Sequence, residues 1–159
     1  MTSKDDIHYI GLAIELAQTG AARNEGGPFG AAIVKEGRII GRGNNKVVST
    51  NDPTAHAEII AIREACRYLS SYQLEGCTIY TSCEPCPMCL GAIYWARLDR
   101  IVYACTREDA ASINFDDDFI YQEIILPLEQ RKIPAYQCGR DKGLEVFKFW
   151  KNKDDKVEY

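Results

Sequence analysis

Two short segments of the sequence carry residue types whose spacing suits a metal ion. The first is His-Ala-Glu at residues 56–58, and the second is Pro-Cys-Pro-Met-Cys at residues 85–89. Each lies where a helix is predicted to begin. Residues three apart on a helix share a face, so Cys86 and Cys89 can bind one ion together, and the helix dipole favours their thiolate forms. His56, Cys86 and Cys89 therefore form a candidate zinc site that leaves the fourth ligand position to water.

Glu58 lies two residues beyond His56 and can reach such a water without being a ligand itself. Bound zinc lowers the pKa of a coordinated water from 15.7 to roughly 7. A nearby carboxylate can take the proton and return it to a departing amine, a shuttle typically worth about 10²- to 10⁴-fold in rate. His-x-Glu followed by Pro-Cys-x-x-Cys is typical of zinc-dependent deaminases. We therefore expect Glu58 to be the catalytic residue of a zinc-dependent hydrolase.

Spacing alone leaves other interpretations of these cysteines open. A Cys-x-x-Cys pair can be a redox site or part of a structural zinc site. Cys83 could join the three candidate ligands in a closed, four-ligand structural site. Against this, Cys83 directly follows a predicted strand and precedes the helix, and a structural site has no use for Glu58 beside a ligand. A zinc module without turnover is the alternative from a different functional class.

Length and composition restrict the classes of protein to consider. The 159 residues suit one domain, and we predict a single domain over residues 1–159. Apolar runs such as 124–128 are too short to span a bilayer, and residues 1–6 carry no signal-peptide pattern, so we expect a cytoplasmic protein without a membrane partner. The formal charge of −4 argues against a nucleic-acid partner. Four further cysteines are predicted to be buried thiols: Cys66, Cys77, Cys105 and Cys138.

Periodicity and turn signals predict the elements that must position the site. The predicted strands are 29–35, 38–43, 77–81 and 101–105, with an extended piece at 133–138. The predicted helices are 4–19, 54–68, 85–96, 119–129 and 144–150. In the first helix the apolar face is predicted to consist of Ile7, Ile10, Ile14 and Ala17. Strands that alternate with helices indicate an α/β fold with a mixed sheet and helices on its faces.

Three segments carry a resemblance to a known family: residues 26–31, 51–58 and 82–96. Through them the sequence resembles the cytidine and nucleobase deaminase superfamily over nearly its whole length. Residues 115–121, 133–137 and 158–159 are similar to the bacterial guanine deaminases within it. The resemblance implies a three-layer αβα fold with a mixed five-stranded sheet, one zinc ion per subunit, and hydrolysis of guanine to xanthine and ammonia. It also implies a homodimer in which the C-terminal segment can be swapped between subunits.

By position, the resemblance assigns five substrate contacts. Asn45 would hydrogen-bond the purine edge, Phe29 would pack on the ring, and the backbone N–H of Ala57 could face the substrate. Asp117 would bind the ring N–H donors or help to move a proton, and Tyr159 would help to seal the pocket. Residue type alone allows other roles: a turn for Asn45, a strand core for Phe29, and a solvated helix start for Asp117. A terminal tyrosine is ordinarily disordered.

The same zinc chemistry leaves other substrates open. A tRNA adenosine deaminase would use an identical metal site. The net negative charge and the long segment after Asp117 argue against that function. A deaminase of guanosine or of aminated heterocycles such as triazines would differ only in its pocket. A C-terminal segment that closes the pocket would leave little room for ribose, which favours the free base. The expected substrate is therefore guanine.

Overall fold

The structure, a computed structural model, describes residues 3–115 and 117–159, so Met1, Thr2 and Asp116 lie outside the described residues. The chain forms two compact units, one through Phe119 and one from Ile120 to Tyr159. The first unit contains α1 (Lys4–Ala22), β1 (Gly30–Lys35), β2 (Arg38–Asn44), α2 (Val47–Thr50), α3 (Ala57–Leu69), β3 (Cys77–Cys83), α4 (Pro87–Trp95), β4 (Arg100–Cys105) and α5 (Arg107–Ala111). Helix α6 (Asp118–Ile125) follows, and the second unit adds a 3₁₀ helix (Leu128–Gln130) and α7 (Arg140–Lys151). Within the described ranges no helix is both long and apolar enough to cross a membrane.

The sheet of the first unit has the strand order β2-β1-β3-β4. Strand β1 pairs antiparallel with β2 and with β3, while β3 and β4 are parallel. Glu36 and Gly37 join β1 to β2 with φ angles of 48° and 75°, as a tight primed hairpin turn requires. The predicted α/β fold with a mixed sheet is therefore confirmed.

The predicted five-stranded sheet is wrong, because the sheet of the described residues has four strands. The piece at 133–138, which the sequence analysis predicted to be extended, is irregular. Ile133 and Tyr136 are 81% and 90% exposed, so this piece has no buried face, and Pro134 has no N–H to donate to a ladder.

Helices α3 and α4 pack against one face of the sheet. Ile33 and Ile79 are fully buried in a cluster that also contains Ala61 of α3 and Ile93 of α4. Helix α3 lies directly against β2, because a Cβ atom built on Gly41 would be 2.3 Å from the carbonyl oxygen of Ala61. A Cβ atom on Gly43 would likewise be 2.2 Å from the carbonyl oxygen of Ala57, so the N-terminal end of α3 also lies directly against β2.

Helix α1 packs against the alternate side chains of the sheet, including Tyr80 and Val102. The predicted apolar face of α1 is wrong in part, because Ile7 is 73% and Ile14 46% exposed. The buried residues of α1 are Asp6, Ala13, Ala17 and Gly20. Small side chains occupy this face because the helix backbone nearly touches the sheet: a Cβ atom on Gly30 would be 2.1 Å from the carbonyl oxygen of Ala13.

Asp6, at the start of α1, is 2% exposed, and both of its carboxylate oxygens accept hydrogen bonds. Arg100 donates to its two carboxylate oxygens at 2.8 and 2.9 Å, and the Tyr80 hydroxyl donates to Oδ1 at 2.9 Å. The backbone N–H of Ser3 donates to Oδ2 at 2.7 Å. The Arg100 hydrogen bonds are the main reason that the pKa of Asp6 lies well below its usual range. Burial and Asp6 together raise the pKa of Tyr80 to about 12.

The four cysteines predicted to be buried thiols differ from one another. Cys77 is fully buried and Cys66 is half-buried. Cys105 and Cys138 are exposed, so the prediction is wrong for these two. Cys105 is the last residue of β4, where the chain leaves the sheet, and Cys138 lies in an irregular stretch.

Candidate active site

His56 and Cys86 occupy equivalent positions, each immediately before a helix. His56 is the N-cap of α3 with φ −70° and ψ 155°, and Cys86 is the N-cap of α4 with φ −65° and ψ 168°. Pro87 occupies the first turn of α4, where its missing N–H costs no hydrogen bond. Cys89 follows three residues after Cys86 and is fully buried. The helices thus begin later than predicted, at the ligand residues themselves.

The side chains of these three residues converge. His56 Nδ1 lies 3.6 Å from Cys86 Sγ and 3.6 Å from Cys89 Sγ. All three ligand atoms lie within 4.8 Å of one another. A tetrahedral zinc ion with ordinary Zn–N and Zn–S bond lengths would separate nitrogen and sulfur by about 3.6 Å. Both nitrogen–sulfur distances therefore fit a bound zinc ion.

Electrostatics at this cluster favour a thiolate at Cys86. Hydrogen bonds from the Cys89 thiol and from His56 lower the pKa of Cys86 to about 4. The bond that Cys89 donates to Cys86, together with burial, raises the pKa of Cys89, and the bond to Cys86 raises that of His56. A cation that binds thiolates would compete with the proton that Cys89 donates to Cys86.

Cys83 does not join the cluster. Its Sγ donates to the carbonyl oxygen of Thr106 at 3.3 Å, and burial raises its pKa to about 12. Over the described ranges, the group that could hold a metal consists of His56, Cys86 and Cys89. This geometry disfavours the closed four-ligand structural site, because the fourth cysteine is a protonated thiol bonded elsewhere.

Glu58 lies in the first turn of α3 and is 7% exposed. Burial is the main reason that its pKa is raised, and the nearby charge of Cys86 adds to the effect. Its side chain lines a cavity together with His56 and Cys86. A buried carboxyl group that gains and loses a proton readily beside a metal site is suited to general acid–base catalysis.

The cavity has a volume of about 260 Å³. This is below the roughly 300–1,000 Å³ of sites for drug-sized ligands, so the cavity suits a small molecule. Phe29 and Asp117, both predicted to contact substrate, line it. Asp117 is half-buried, and its charge contributes to the raised pKa of His56. Their roles toward a substrate stay predictions.

Asn45 and Ala57 are not among the residues that line this cavity in the described part of the first unit. Asn45 is 5% exposed, and its Oδ1 accepts hydrogen bonds from the N–H groups of Gly27 at 3.3 Å and Val47 at 3.2 Å. Ala57 is fully buried at the start of α3. Tyr159 belongs to the second unit and is 72% exposed.

Asn114 and Phe115 are among the cavity-lining residues that were not predicted. They follow α5, a helix that the sequence analysis also missed. The signal for α5 is the capping box in which Thr106 and Asp109 bond reciprocally to each other's backbone N–H groups. Asn114 then turns the chain with φ 69°, a conformation that asparagine tolerates better than most residues. Recognition of this pattern would have placed both residues near the site.

Comparison with known proteins extends the similarity far beyond the metal ligands. Residues 3–105 match the cytidine and deoxycytidylate deaminase zinc-binding region. Guanine deaminase of Bacillus subtilis (strain 168) is 54% identical over 151 residues, which cover 95% of this chain and 97% of that protein. An X-ray structure of guanine deaminase from Bacillus subtilis matches with a TM-score of 0.94 and 52% identity, covering 100% of this chain and 99% of its own. The tRNA-specific adenosine deaminase of Buchnera aphidicola subsp. Schizaphis graminum is 39% identical over 155 residues, 96% of this chain and 99% of that protein.

Proposed function

Because the chain belongs to the family defined by the cytidine and deoxycytidylate deaminase zinc-binding region, we propose that it is a zinc-dependent hydrolase that converts guanine to xanthine and ammonia. The predicted resemblance to this superfamily is confirmed. The observation that carries the proposal is the buried Glu58 on the wall of a small cavity, beside three residues that fit zinc. The guanine assignment is supported by the 54% identity with a guanine deaminase over 95% of the chain.

His56, Cys86 and Cys89 would hold one zinc ion per chain. Zinc bound there supplies a water acidic enough to lose a proton near neutral pH. Guanine carries its amino group on carbon 2 of an electron-poor ring, the position at which water must add. The bond from this carbon to oxygen forms, and the bond from this carbon to the amino nitrogen then breaks.

Glu58 would move the proton between these two events. It takes a proton from the attacking water and delivers it to the amino nitrogen, so that ammonia leaves as a neutral molecule. Burial suits Glu58 to this role, because its raised pKa brings the carboxyl group closer to the working pH of the enzyme. Its position two residues after His56 keeps it on the same helix start as a metal ligand.

The substrate contacts remain as proposed from the resemblance. Phe29 would stack on the purine, and the carboxylate of Asp117 would accept hydrogen bonds from ring N–H groups or take part in proton transfer. The two backbone donors that occupy Asn45 Oδ1 leave its NH₂ group to donate to an acceptor on the purine edge. The Ala57 N–H and Tyr159 complete the proposed set. All five roles require a complex with substrate or an analogue as a test.

We further propose that the protein is a homodimer with a three-layer αβα domain and a swapped C-terminal segment. In the second unit, α7 has no buried residue, and Phe147 and Phe149 are 70% and 67% exposed. Soluble monomers rarely expose so many large apolar side chains. Tyr94 and Trp95 of α4, at 71% and 66% exposed, offer a second apolar surface. A monomeric mass in light scattering at micromolar concentration would contradict the dimer.

A cytoplasmic location is supported by the chemistry of the ligands, since zinc thiolates persist best where thiols stay reduced. The formal charge of −4 supports a small-molecule substrate over a nucleic-acid partner.

The function is tested by measuring ammonia release from the zinc-loaded protein. Guanine, guanosine, adenine, cytidine, cytosine and a tRNA anticodon stem-loop are assayed in parallel, with Glu58→Gln as the control for site-dependent turnover. We expect turnover of guanine by the wild-type protein and none by the control. Deamination of the stem-loop or a nucleoside without guanine turnover would contradict the guanine assignment but leave the zinc chemistry intact. Inactivity on every substrate would favour the structural zinc module.

A further inference from the structure

Two aromatic rings meet at a right angle on the wall of the cavity. The ring centroids of Phe29 and Phe115 are 4.9 Å apart and the ring planes are inclined by 89°. Both residues line the cavity that contains Glu58 and His56. Two perpendicular planes form a corner, and a flat heteroaromatic ring that enters a corner can stack on one plane while its edge meets the other.

The loop before β1 leaves room for this corner. A Cβ atom on Gly27 would lie 2.8 Å from Cζ of Phe115 and 3.0 Å from Cε2 of Phe29, so any side chain there would displace one ring or both. The N–H of Gly27 also donates to Asn45 Oδ1 at 3.3 Å, which ties the glycine to the loop after β2. Gly27 is therefore needed for the positions of the two rings.

Phe115 is held by its backbone, although its side chain is 42% exposed. Its N–H donates to the carbonyl oxygen of Ala110, a buried residue of α5, at 3.1 Å. Helix α5 is in turn fixed to the end of β3, because the N–H of Arg107 donates to Glu84 Oε2 at 3.3 Å. A large apolar ring that is fixed in position and still partly solvated gains burial when a flat ligand covers it.

We propose that Phe115 is a substrate-positioning residue, whose ring forms with Phe29 the corner that fixes the plane of the base in front of Glu58. The inference rests on the proposed guanine deaminase activity. It assigns to Phe115 the orientation of the base plane relative to Glu58. It predicts that the site selects flat heteroaromatic rings and that binding depends on the flatness of residue 115, not merely on its apolar character.

The test compares three variants of one position. Phe115→Ala removes the ring, Phe115→Leu keeps an apolar side chain without a flat face, and Phe115→Tyr keeps the flat face. We expect KM for guanine to rise about 5- to 100-fold for the Ala and Leu variants, the range seen when base–aromatic stacking is lost, and to stay within about twofold for Tyr. Zinc content is expected to be equal in all three. Ile113→Ala is the matched control, because Ile113 lies on the same turn, is 51% exposed and is not among the cavity-lining side chains of the described residues.

A second measurement separates binding from chemistry. The dissociation constant of guanine is measured by calorimetry for the zinc-loaded Glu58→Gln protein with and without Phe115→Ala, and the same fold-loss is expected as for KM. Gly27→Ala should also weaken binding, and its effect should shrink when combined with Phe115→Ala, since the ring that it displaces is then absent.

The outcomes distinguish the inference from the function. If the wild-type protein deaminates guanine and Phe115→Leu binds guanine as tightly as wild type does, the inference is wrong and the function stands. If the wild-type protein leaves guanine unchanged, the guanine assignment fails. The same variants are then titrated with adenine and cytosine, and equal affinities for wild type and Phe115→Leu would overturn the inference there as well.

Discussion

Two carboxylates are buried among the described residues of the first unit, and their surroundings shift their pKa values in opposite directions. Asp6, on the α1 side of the sheet, is 2% exposed, and Glu58, on the α3 side, is 7% exposed. Four hydrogen bonds, two of them from Arg100, lower the pKa of Asp6. Burial is the main reason that the pKa of Glu58 is raised, and it outweighs the opposing effects of a backbone hydrogen bond and of His56. A buried acid with every oxygen paired holds the fold together, whereas one whose charge is disfavoured is poised for proton transfer.

The largest expected effect is the loss of a metal ligand on the Glu58 side of the sheet. Cys89→Ala should abolish zinc binding and turnover, because two protein ligands hold zinc far less tightly than three. Metal analysis and ammonia release after dialysis against low zinc test this. The matched control is Cys77→Ala, which alters a fully buried thiol away from the cluster and should keep zinc. Zinc retained by Cys89→Ala would remove Cys89 from the ligand set.

Glu58→Gln should lower kcat by about 10²- to 10⁴-fold while zinc content stays unchanged, because only the proton shuttle is lost. Its urea midpoint should not fall, since the amide replaces a carboxyl group whose charge was disfavoured by burial. Turnover and equilibrium unfolding are measured on the same preparations. An unchanged kcat would exclude Glu58 from the mechanism. A large loss of stability would mean that Glu58, like Asp6, stabilises the fold.

Asp6→Asn should have the opposite pattern, with a lower urea midpoint and an unchanged kcat for guanine. The folded pKa of Asp6 is depressed, so its stabilising contribution is fully present above the unfolded value of about 3.9 and is lost as pH falls below it. The difference in urea midpoint between wild type and Asp6→Asn should therefore be largest near neutral pH and narrow below about pH 4. A difference that grows on acidification would contradict the assigned shift.

The same two regions show how far the sequence could predict the molecule. The convergence of His56, Cys86 and Cys89 could be predicted, because metal binding requires particular residue types at fixed spacing on two helix starts. The buried face of α1 could not, because it is built from small residues and an aspartate, and burial of Asp6 depends on Arg100, which lies 94 residues away in the sequence. Periodicity favoured isoleucines that the structure leaves exposed. The cavity wall after α5 was missed because a helix of five residues has almost no periodic signal.

The smallest expected effect concerns the exposed isoleucines of α1. Ile14→Ser should change the free energy of unfolding by about 0.5 kcal/mol or less, because the side chain is 46% exposed and the two residues have similar helix propensities. Ala13→Val, one position earlier, should destabilise by about 1–3 kcal/mol, because Ala13 is fully buried and its backbone lies against Gly30. Urea titration of both variants at neutral pH makes the comparison. If Ile14→Ser were the more damaging change, the apolar face predicted from the sequence, and not the face of small residues, would be the one that packs on the sheet.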